Sequence, residues 1–321
     1  MWPFRIYLLN RLRPFQFTYM SKLIVAFICT FIMFAAESIA QIPVPVKGTI
    51  VRHEMFASAF VDARNIDVWL PENYDVNKKY AVLYMHDGQM LYDAAITWNK
   101  QEWQVDEIVS QLLSQSQIID CIVVGIWNNG VYRHSEYFPQ TPISYLSKDV
   151  QDTLIKNELQ QQPRSDAYLK FLVTELKPFI DKTYSTYTDK NHTMIAGSSM
   201  GGLISMYAIC EYPEVFGGAA CLSTHWPGSL QAPENVIPLA FQDYLSKHLP
   251  SPDSHKIYFD FGTTTLDQLY EPHQIKVDSI MKQKGYTEKN WMTRKFEGEP
   301  HTEQAWSKRL HIPLTFLLGQ E

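Results

Sequence analysis

The stretch His192-Thr193-Met194-Ile195-Ala196-Gly197-Ser198-Ser199-Met200-Gly201-Gly202 governs how the rest of this chain is interpreted. It places an apolar strand candidate before a turn of small residues, and the apolar helix candidate Leu203 to Cys210 follows at once. Gly-x-Ser-x-Gly between a strand and a helix is the pattern of a nucleophile elbow. Glycine at 197 and 201 suits the strained turn, since a Cβ there would collide with the neighbouring strand or helix. Ser199, at the centre of the pattern, is therefore the candidate nucleophile, with an ordinary Gly/Ser loop as the alternative.

On both sides of this stretch, short β-branched or aromatic runs alternate with longer helical patterns. That alternation predicts an α/β fold with a mostly parallel central sheet flanked by helices. The predicted strands are Ile66 to Leu70, Tyr80 to His86, Cys121 to Trp127, Thr193 to Gly197, Gly218 to Leu222, Lys256 to Phe261 and Arg294 to Phe296. The predicted helices are Gln101 to Leu113, Asp166 to Lys182, Met200 to Cys210, Gln274 to Gln283 and Glu303 to Leu318. The polar segment 132–164, with three prolines and weak periodicity, is predicted to be an insertion over the sheet.

A nucleophilic serine needs a base to take its proton and an acid to orient that base, in the chain order Ser, acid, His. His301 follows the last strand candidate and precedes the C-terminal helix pattern, which makes it the candidate base. The acid should lie just beyond the penultimate core strand, where Asp267 follows Phe261-Gly262. Asp260, within that strand, and Glu271, a turn later, stay open as alternatives, and helix capping is the structural alternative for Asp267.

The reaction also needs two backbone N–H groups directed at the oxyanion of the tetrahedral intermediate. The elbow supplies the N–H of Met200. The second is expected from the loop His86-Asp87-Gly88-Gln89 after an early strand, where Gly88 lets the backbone approach the substrate. A simple strand-ending turn is the alternative for this loop.

Several polar and aromatic residues stand at strand ends or in the predicted insertion, where they could form the walls of a substrate pocket. Aromatic rings there would suit sugar or phenolic faces, although each ring could equally pack the insertion onto the sheet. The candidate substrate-binding residues are Trp127, Arg133, Tyr137, His225 and Trp226.

The N-terminus carries the pattern of a leader or signal peptide over residues 1–40. Lys22 precedes an apolar run from Leu23 to Ala36, and Ser38-Ile39-Ala40 offers small residues for cleavage. Met20 is a possible start. This pattern predicts a secreted or periplasmic protein whose residues 41–321 form a single domain. The apolar run is short for a membrane span, and no membrane contact beyond the leader is expected.

Composition excludes several classes of function. The chain has 45% hydrophobic and 19% charged residues, which is typical of a globular protein. Removing residues 1–40 takes away four basic side chains and one acidic one, so the formal charge changes from −6 to −9, and nucleic acid is not an expected partner. No spacing typical of a metal, phosphate-loop or dinucleotide site occurs, so neither metal nor cofactor is expected.

Cys121, Cys210 and Cys221 lie in apolar stretches and are predicted to be buried thiols. Nothing indicates the oligomeric state.

These motifs resemble the putative esterase family of α/β-hydrolases, which includes feruloyl and acetyl-xylan esterases, S-formylglutathione hydrolases, siderophore esterases and mycolyltransferases. The resemblance covers nearly all of residues 41–321 and is carried by Val68-Trp69-Leu70-Pro71 with Tyr74, His86 to Gln89, Gly197 to Gly202, Tyr258 to Asp267, and His301 with Trp306. It implies an α/β-hydrolase fold, a triad of Ser199, Asp267 and His301, and an oxyanion hole from Gln89 and Met200. Several relatives place the acid nearer the strand-exit glycine, at the position of Thr265 here, so the acid departs from the family pattern.

The expected function is that of an exported serine carboxylesterase that forms an acyl-enzyme, acting on a small-molecule or carbohydrate ester. A siderophore trilactone esterase and an acyltransferase are the enzymatic alternatives. A catalytically dead hydrolase fold that binds carbohydrate or a partner protein is the alternative from another class, but such a module has no need of a strained serine.

Overall fold

A computed structural model describes residues 41–231 and 236–320 of the chain, and an eight-stranded sheet runs through its centre. In space the strands follow the order β1-β2-β4-β3-β5-β6-β7-β8. Strands β1, β2 and β4 pair antiparallel, and all other neighbours pair parallel. The strands are β1 (Thr49–Phe56), β2 (Arg64–Leu70), β3 (Ala81–His86), β4 (Cys121–Ile126), β5 (Thr193–Ser198), β6 (Gly218–Leu222), β7 (Lys256–Gly262) and β8 (Trp291–Phe296).

Helices cover both faces of this sheet. They are α1 (Val105–Ser114), α2 (Arg133–Tyr137), α3 (Lys148–Asn157), α4 (Ser165–Phe171), α5 (Lys177–Thr183), α6 (Met200–Glu211), α7 (Val236–His248), α8 (Glu271–Gln283), α9 (Glu303–Arg309) and α10 (His311–Leu318). A π-helical stretch, Leu172–Leu176, joins α4 to α5. One apolar cluster packs α2 to α8 against one face of the sheet, and a second packs α1, α9 and α10 against the other.

The central strands are buried on both faces because they are near-continuous apolar runs. Every residue of β3, β4, β5 and β6 is buried, which is typical of parallel strands covered by helices on both sides. The edge strands β1 and β8 have no fully buried residue. Because β3 to β7 are parallel, their carboxyl ends meet at one edge of the sheet, and the loops that follow them converge there.

The seven predicted strands correspond to β2 through β8, and the prediction missed β1 and helices α2, α3 and α7. The predicted helix Glu303 to Leu318 is in fact two helices that break at Leu310, because Pro313 has no N–H to continue the hydrogen-bond ladder. The segment 132–164 holds α2, α3 and a short 3-10 helix, Thr141–Tyr145, between β4 and α4.

The described residues from Ile42 onward form one compact unit. Its three cysteines, Cys121, Cys210 and Cys221, are buried and free, as predicted. Over residues 41–231 and 236–320, no helix has the length and apolar character that a membrane crossing requires. The predicted leader, residues 1–40, lies outside the described residues.

Candidate active site

Ser199 occupies the turn between β5 and α6 with a strained backbone. Its φ of 58° and ψ of −121° lie in a region that non-glycine residues rarely adopt. The turn is held from both sides: the N–H of Ser199 donates to the carbonyl of Leu222 at 2.9 Å, and its own carbonyl accepts from the N–H of His225 at 3.1 Å. The backbone therefore fixes the position of the serine at the carboxyl edge of the sheet.

The glycines of the elbow contribute unequally to this geometry. A Cβ on Gly197 would lie 2.7 Å from the carbonyl carbon of Gly201, so the turn closes on itself only with glycine there. A Cβ on Gly201 would lie 3.4 Å from the Cβ of His86, which is a near-ordinary contact. The expected collision is thus found at Gly197 and is weak at Gly201.

Asp267 and His301 meet beside this turn. Asp267 lies in a 3-10 helix just after β7, and its Oδ1 is 2.5 Å from Nδ1 of His301, which follows β8. Oδ2 of Asp267 accepts from the hydroxyl of Ser223 and from the N–H of Gly262, each at 2.6 Å. Burial alone would raise the pKa of Asp267, but its hydrogen bonds, first that with His301, lower it overall. Asp267 is therefore buried, ionised and held in one orientation toward His301.

The two alternative acids are engaged elsewhere. Asp260 is buried in β7 and accepts from Arg309, with Nη2 at 2.9 Å and Nε at 3.1 Å. Glu271 lies at the surface, where Lys295 donates to it at 3.0 Å. Neither carboxylate has a hydrogen bond to His301, so the geometry favours Asp267 among the three.

Ser199 and His301 line the same cleft, whose volume is about 710 Å³. His301 reaches this cleft with its Nδ1 edge on Asp267 and its ring against the edge of Trp306, with centroids 4.9 Å apart. The remaining walls are mixed aromatic and polar. The cleft is lined by Asp87, Gln89, Met90, Trp98, Asn99, Gln101, Trp103, Asn128, Gly130, Arg133, Ser198, Ser199, His301, Thr302, Glu303 and Trp306.

The two expected oxyanion donors stand at helix starts. Met200 is the first residue of α6, so its N–H has no acceptor within the helix. Gln89 lies in the one-turn 3-10 helix Gly88–Met90 after β3. The first hydrogen bond of that turn runs from the N–H of Met90 to the carbonyl of Asp87, so the N–H of Gln89 precedes it. Gly88 has a different role from the one expected. A Cβ on it would lie 2.5 Å from the carbonyl carbon of Gly125, so it lets the loop pack on β4 rather than approach the substrate.

The oxyanion loop is anchored by an ion pair at the wall of the cleft. Asp87 has a left-handed backbone, φ 56°, and its carboxylate accepts from Nε and Nη2 of Arg133, each at 2.7 Å. Asn128 donates to the same carboxylate at 2.7 Å. Burial would raise the pKa of Asp87, but Arg133 and Asn128 hold it below its ordinary value. Of the predicted substrate-binding residues, Arg133 is thus the one that lines the cleft.

The other four predicted wall residues do not line the cleft. Tyr137 is fully buried beneath Arg133, and Trp226 is buried with its Nε1 donating to Gln274. Trp127 turns away, since its Nε1 donates to Asp67 and Arg52 lies over its ring. His225 is buried against Tyr270, whose hydroxyl is 2.9 Å from its Nδ1, and burial lowers the pKa of His225 to about 3. All four rings thus contact other parts of the protein rather than the cleft.

Two residues that support the acid were not predicted. Ser223 directly follows β6 and contacts Asp267, and Arg309 ends α9 beneath the site. The position of Ser223 at the carboxyl end of a core strand was the available signal, because such positions converge on the serine. Arg309 carried no local signal, since its partners lie 49 and 86 positions away in the chain.

Taken together, the geometry joins a strained serine, a histidine held by an ionised carboxylate, and two backbone N–H groups at helix starts. Such an arrangement can transfer an acyl group from an ester to the serine and then to an acceptor. Within the described residues, no cluster of three or more acidic, histidine or cysteine side chains could hold a metal ion.

Known proteins share both the sequence pattern and the fold. Residues 57–314 match the sequence model of the family described as "Putative esterase". Among curated proteins, the uncharacterized protein YjcH of Bacillus subtilis is 24% identical over 224 residues, which is 70% of this chain and 76% of YjcH.

Solved structures with this fold include esterases and hydrolases. A ferulic acid esterase superposes with a TM-score of 0.62 at 20% identity, covering 85% of this chain and 98% of that chain. An IroE-like serine hydrolase from Shewanella oneidensis superposes with a TM-score of 0.61 at 18% identity, covering 84% and 80%. At such identities the likeness establishes the fold, and it confirms the predicted α/β-hydrolase architecture.

Proposed function

We propose that this chain acts through a triad of Ser199, His301 and Asp267. The chain belongs to the putative esterase family and is a serine carboxylic ester hydrolase. One observation carries the proposal. The imidazole of His301 is hydrogen-bonded to a buried, ionised Asp267 in the cleft that Ser199 lines. A histidine held this way presents its other nitrogen, Nε2, as a proton acceptor.

In the first half of the reaction, Nε2 of His301 takes the proton of Ser199 while Oγ attacks the ester carbonyl. The imidazolium that forms is stabilised by Asp267, which stays ionised. The N–H groups of Gln89 and Met200 receive the negative charge of the tetrahedral intermediate. His301 then protonates the leaving alcohol, and an acyl-enzyme remains on Ser199.

In the second half, a water molecule enters the cleft and His301 removes its proton as the oxygen attacks the acyl-enzyme. The same donors stabilise the second intermediate, and Ser199 leaves with the proton returned from His301. An acceptor alcohol in place of water would make the same machinery an acyltransferase. The cleft is open enough, at about 710 Å³, to admit water after the alcohol departs.

Hydrolysis of a short aryl acetate by the purified chain tests this reaction, because that ester makes few demands on the rest of the cleft. Because a triad acts as a unit, Ser199→Ala and His301→Ala should each remove nearly all activity, and the double variant should be little worse. A well-folded chain that cleaves no ester would instead favour the alternative of a binding module.

For the natural substrate, we propose an ester whose alcohol is a carbohydrate. Trp98 supports this, since its side chain stands at the cleft with 83% of its surface exposed, where a sugar ring could stack. The neutral amides of Asn99, Gln101 and Asn128 line the same cleft and can each donate to and accept from hydroxyl groups.

A second cavity extends this polar surface. It has a volume of about 790 Å³ and shares the lining residue Gln101 with the catalytic cleft. Beside the charged side chains of Lys100, Glu102 and Lys308, its walls carry five further glutamines: Gln104, Gln111, Gln115, Gln117 and Gln304. Its size and amide lining would accommodate the continuation of a neutral polyhydroxylated chain.

A comparison of aryl acetate with an acetylated oligosaccharide tests the carbohydrate proposal. Trp98→Ala should lower kcat/KM for the oligosaccharide, because it removes the exposed ring on which a sugar would stack, and leave the aryl acetate rate unchanged. Equal effects on both substrates would count against a carbohydrate alcohol.

We further propose that the chain is exported and cut after Ala40. The basic Lys22, the apolar run that follows it and the small residues before Gln41 support this. N-terminal sequencing of the protein from its native host tests the proposal. A mature chain that begins at Met1 or Met20 would rule it out.

A further inference from the structure

A buried cluster lies directly behind the proposed catalytic acid. Ser223, Asp260, Asp267 and Arg309 are each no more than 2% exposed, and Trp306 is 4% exposed. The hydroxyl of Ser223 is at its centre: its Oγ is 2.6 Å from Oδ2 of Asp267, 2.9 Å from Nε1 of Trp306 and 2.9 Å from Nη2 of Arg309. The cluster thus joins the loop after β6, the 3-10 helix after β7 and helix α9 at one hydroxyl group.

The chemistry of these groups fixes the direction of each hydrogen bond. The indole of Trp306 and the guanidinium of Arg309 can only donate, so the hydroxyl of Ser223 must accept from both. An ionised carboxylate can only accept, so the single hydroxyl proton of Ser223 points to Asp267. With two bonds accepted and one donated, the hydroxyl cannot rotate to another partner without leaving two buried donors unpaired.

The positive charge behind Ser223 is held in place by Asp260. Arg309 donates to both oxygens of Asp260, and the N–H of Ser223 donates to Oδ1 of the same carboxylate at 3.1 Å. The backbone of Ser223 is left-handed, with φ 41°, which is consistent with a loop pinned at several points. The Asp260–Arg309 pair therefore fixes both the backbone and the hydroxyl of Ser223.

We propose that Ser223 is a positioning residue that orients Asp267 toward His301, with Arg309 and Trp306 as its anchors. The proposal rests on the triad proposed above. Asp267 uses one oxygen for His301 and the other for Ser223 and Gly262, so a turn of the carboxylate away from His301 would also break the two hydrogen bonds on the other oxygen. Asp260, which sequence alone left open as the acid, acts on Asp267 only indirectly, through Arg309 and Ser223.

Ser223→Ala in the full chain is the direct test, with aryl acetate as substrate. The variant should lower kcat about tenfold, which corresponds to the loss of one charge-assisted hydrogen bond, and leave KM within about twofold. Thr224→Val is the matched control, since it removes the buried hydroxyl of the next residue, whose partner is the carbonyl of Cys221. That control should keep its kcat. Equal kcat values in the two variants would overturn the positioning role.

Proton NMR gives a readout that a merely structural role would not move and that needs no substrate. The proton shared by His301 and Asp267 should resonate far downfield, and His301→Gln identifies it by its loss. In Ser223→Ala this resonance should shift or broaden, whereas Thr224→Val should leave it unchanged. An unchanged resonance in Ser223→Ala would contradict the proposal.

Two outcomes separate this proposal from the proposed function. If the unmodified chain cleaves no ester, the proposed reaction fails while the resonance still tests whether Ser223 orients Asp267. If Ser223→Ala does not fold, Ser223→Cys replaces it, because a thiol fills the site with a weaker donor. The cysteine variant should lose less than tenfold in kcat but should still be slower than the unmodified chain. An unaltered kcat and an unaltered resonance in it would overturn the proposal.

Discussion

Two aspartate–arginine pairs support the site, and they differ in their access to solvent. The Asp260–Arg309 pair lies behind the acid and is buried, with both side chains no more than 3% exposed. The Asp87–Arg133 pair lies at the wall of the cleft, and 31% of the side chain of Arg133 is exposed. The buried pair holds the loop that orients Asp267, and the cleft pair holds the loop that carries Gln89. Each half of the site is therefore fixed by an ion pair, but only one of the two pairs can be reached by substrate.

The same contrast extends to the pKa values of the two carboxyl groups. Burial raises the pKa of Asp260 even though Arg309 opposes it. Burial acts in the same sense on Asp87, yet Arg133 and Asn128 prevail there and lower its pKa. The Asp260–Arg309 and Asp87–Arg133 pairs therefore contribute differently to the stability of the fold.

The largest expected effect is on kcat, and it comes from the buried acid Asp267. Asp267→Asn should keep the fold and lower kcat by about four orders of magnitude, because an amide favours the wrong tautomer of His301. Glu271→Gln is the matched control: it neutralises a surface carboxylate slightly later in the chain and should keep kcat within about twofold. Steady-state kinetics on aryl acetate measures both. A large loss in Glu271→Gln or Asp260→Asn, together with near-normal Asp267→Asn, would reassign the acid.

Removing the arginine of each ion pair should show the difference in burial directly. Arg309→Met leaves Asp260 buried without its partner and should lower the free energy of unfolding by about 3–5 kcal/mol. Arg133→Met removes a part-exposed partner, so water can replace it, and the loss should be about 1 kcal/mol. Urea unfolding of both variants measures the two losses. Equal losses in the free energy of unfolding would show that the difference in burial does not change what each pair contributes to stability.

The cleft side should affect turnover through the oxyanion loop. A Cβ in Gly88→Ala would collide with the backbone of Gly125 and displace the N–H of Gln89. The kcat should therefore fall about 100-fold, close to the loss of one oxyanion donor. Steady-state kinetics on aryl acetate measures this loss, and a Gly88→Ala variant with unaltered kcat would remove Gln89 from the oxyanion hole.

Gly285→Ala is the control for glycine replacement away from the cleft. A Cβ at this position meets only the Cγ of Pro252, at 3.8 Å, which is an ordinary contact. The φ of 86° makes the variant less stable, but its kcat should stay within about threefold of that of the unmodified chain. A fall as large as that in Gly88→Ala would show that the loss comes from stability rather than from the oxyanion loop.

The smallest expected effect is the change in folding stability as the pH falls. Asp87 and Asp260 should contribute to this change with opposite signs. The folded-state pKa of Asp87 is below its unfolded value, so the stability that Asp87 contributes is present above about pH 4 and is lost as the pH falls through the folded pKa. Asp87→Asn should therefore lose less stability between pH 6 and pH 3 than the unmodified chain. Asp260 has a raised pKa and contributes in the opposite sense, so Asp260→Asn should not reduce the loss. Urea unfolding at both pH values measures this, and an unchanged loss in Asp87→Asn would contradict it.

Local patterns were enough to predict the elbow, the core strands and the residues of the proposed triad. Each of these is carried by a short run of sequence whose position between strand and helix limits its role. Strand β1 was missed because its residues are part-exposed or exposed and show no apolar run. Helix α7 was missed because Pro238 stands in its first turn and its apolar pattern is broken.

The walls and supports of the site could not be predicted in the same way. Trp127 follows a core strand as a pocket residue would, but the direction of its loop sends the indole to Asp67. Ser223 and Arg309 meet only because the fold joins segments 86 positions apart. Such contacts depend on tertiary packing, for which single-sequence patterns carry no signal.

Labelling by a fluorophosphonate tests the role of Ser199 without any assumption about the natural substrate, because the probe reacts with a serine that is activated by its base. Intact mass and peptide mapping should show one adduct on Ser199 in the unmodified chain, none in Ser199→Ala, and much slower labelling in Asp267→Asn. A folded chain that takes no label, or that is labelled on another serine, would contradict the proposed triad.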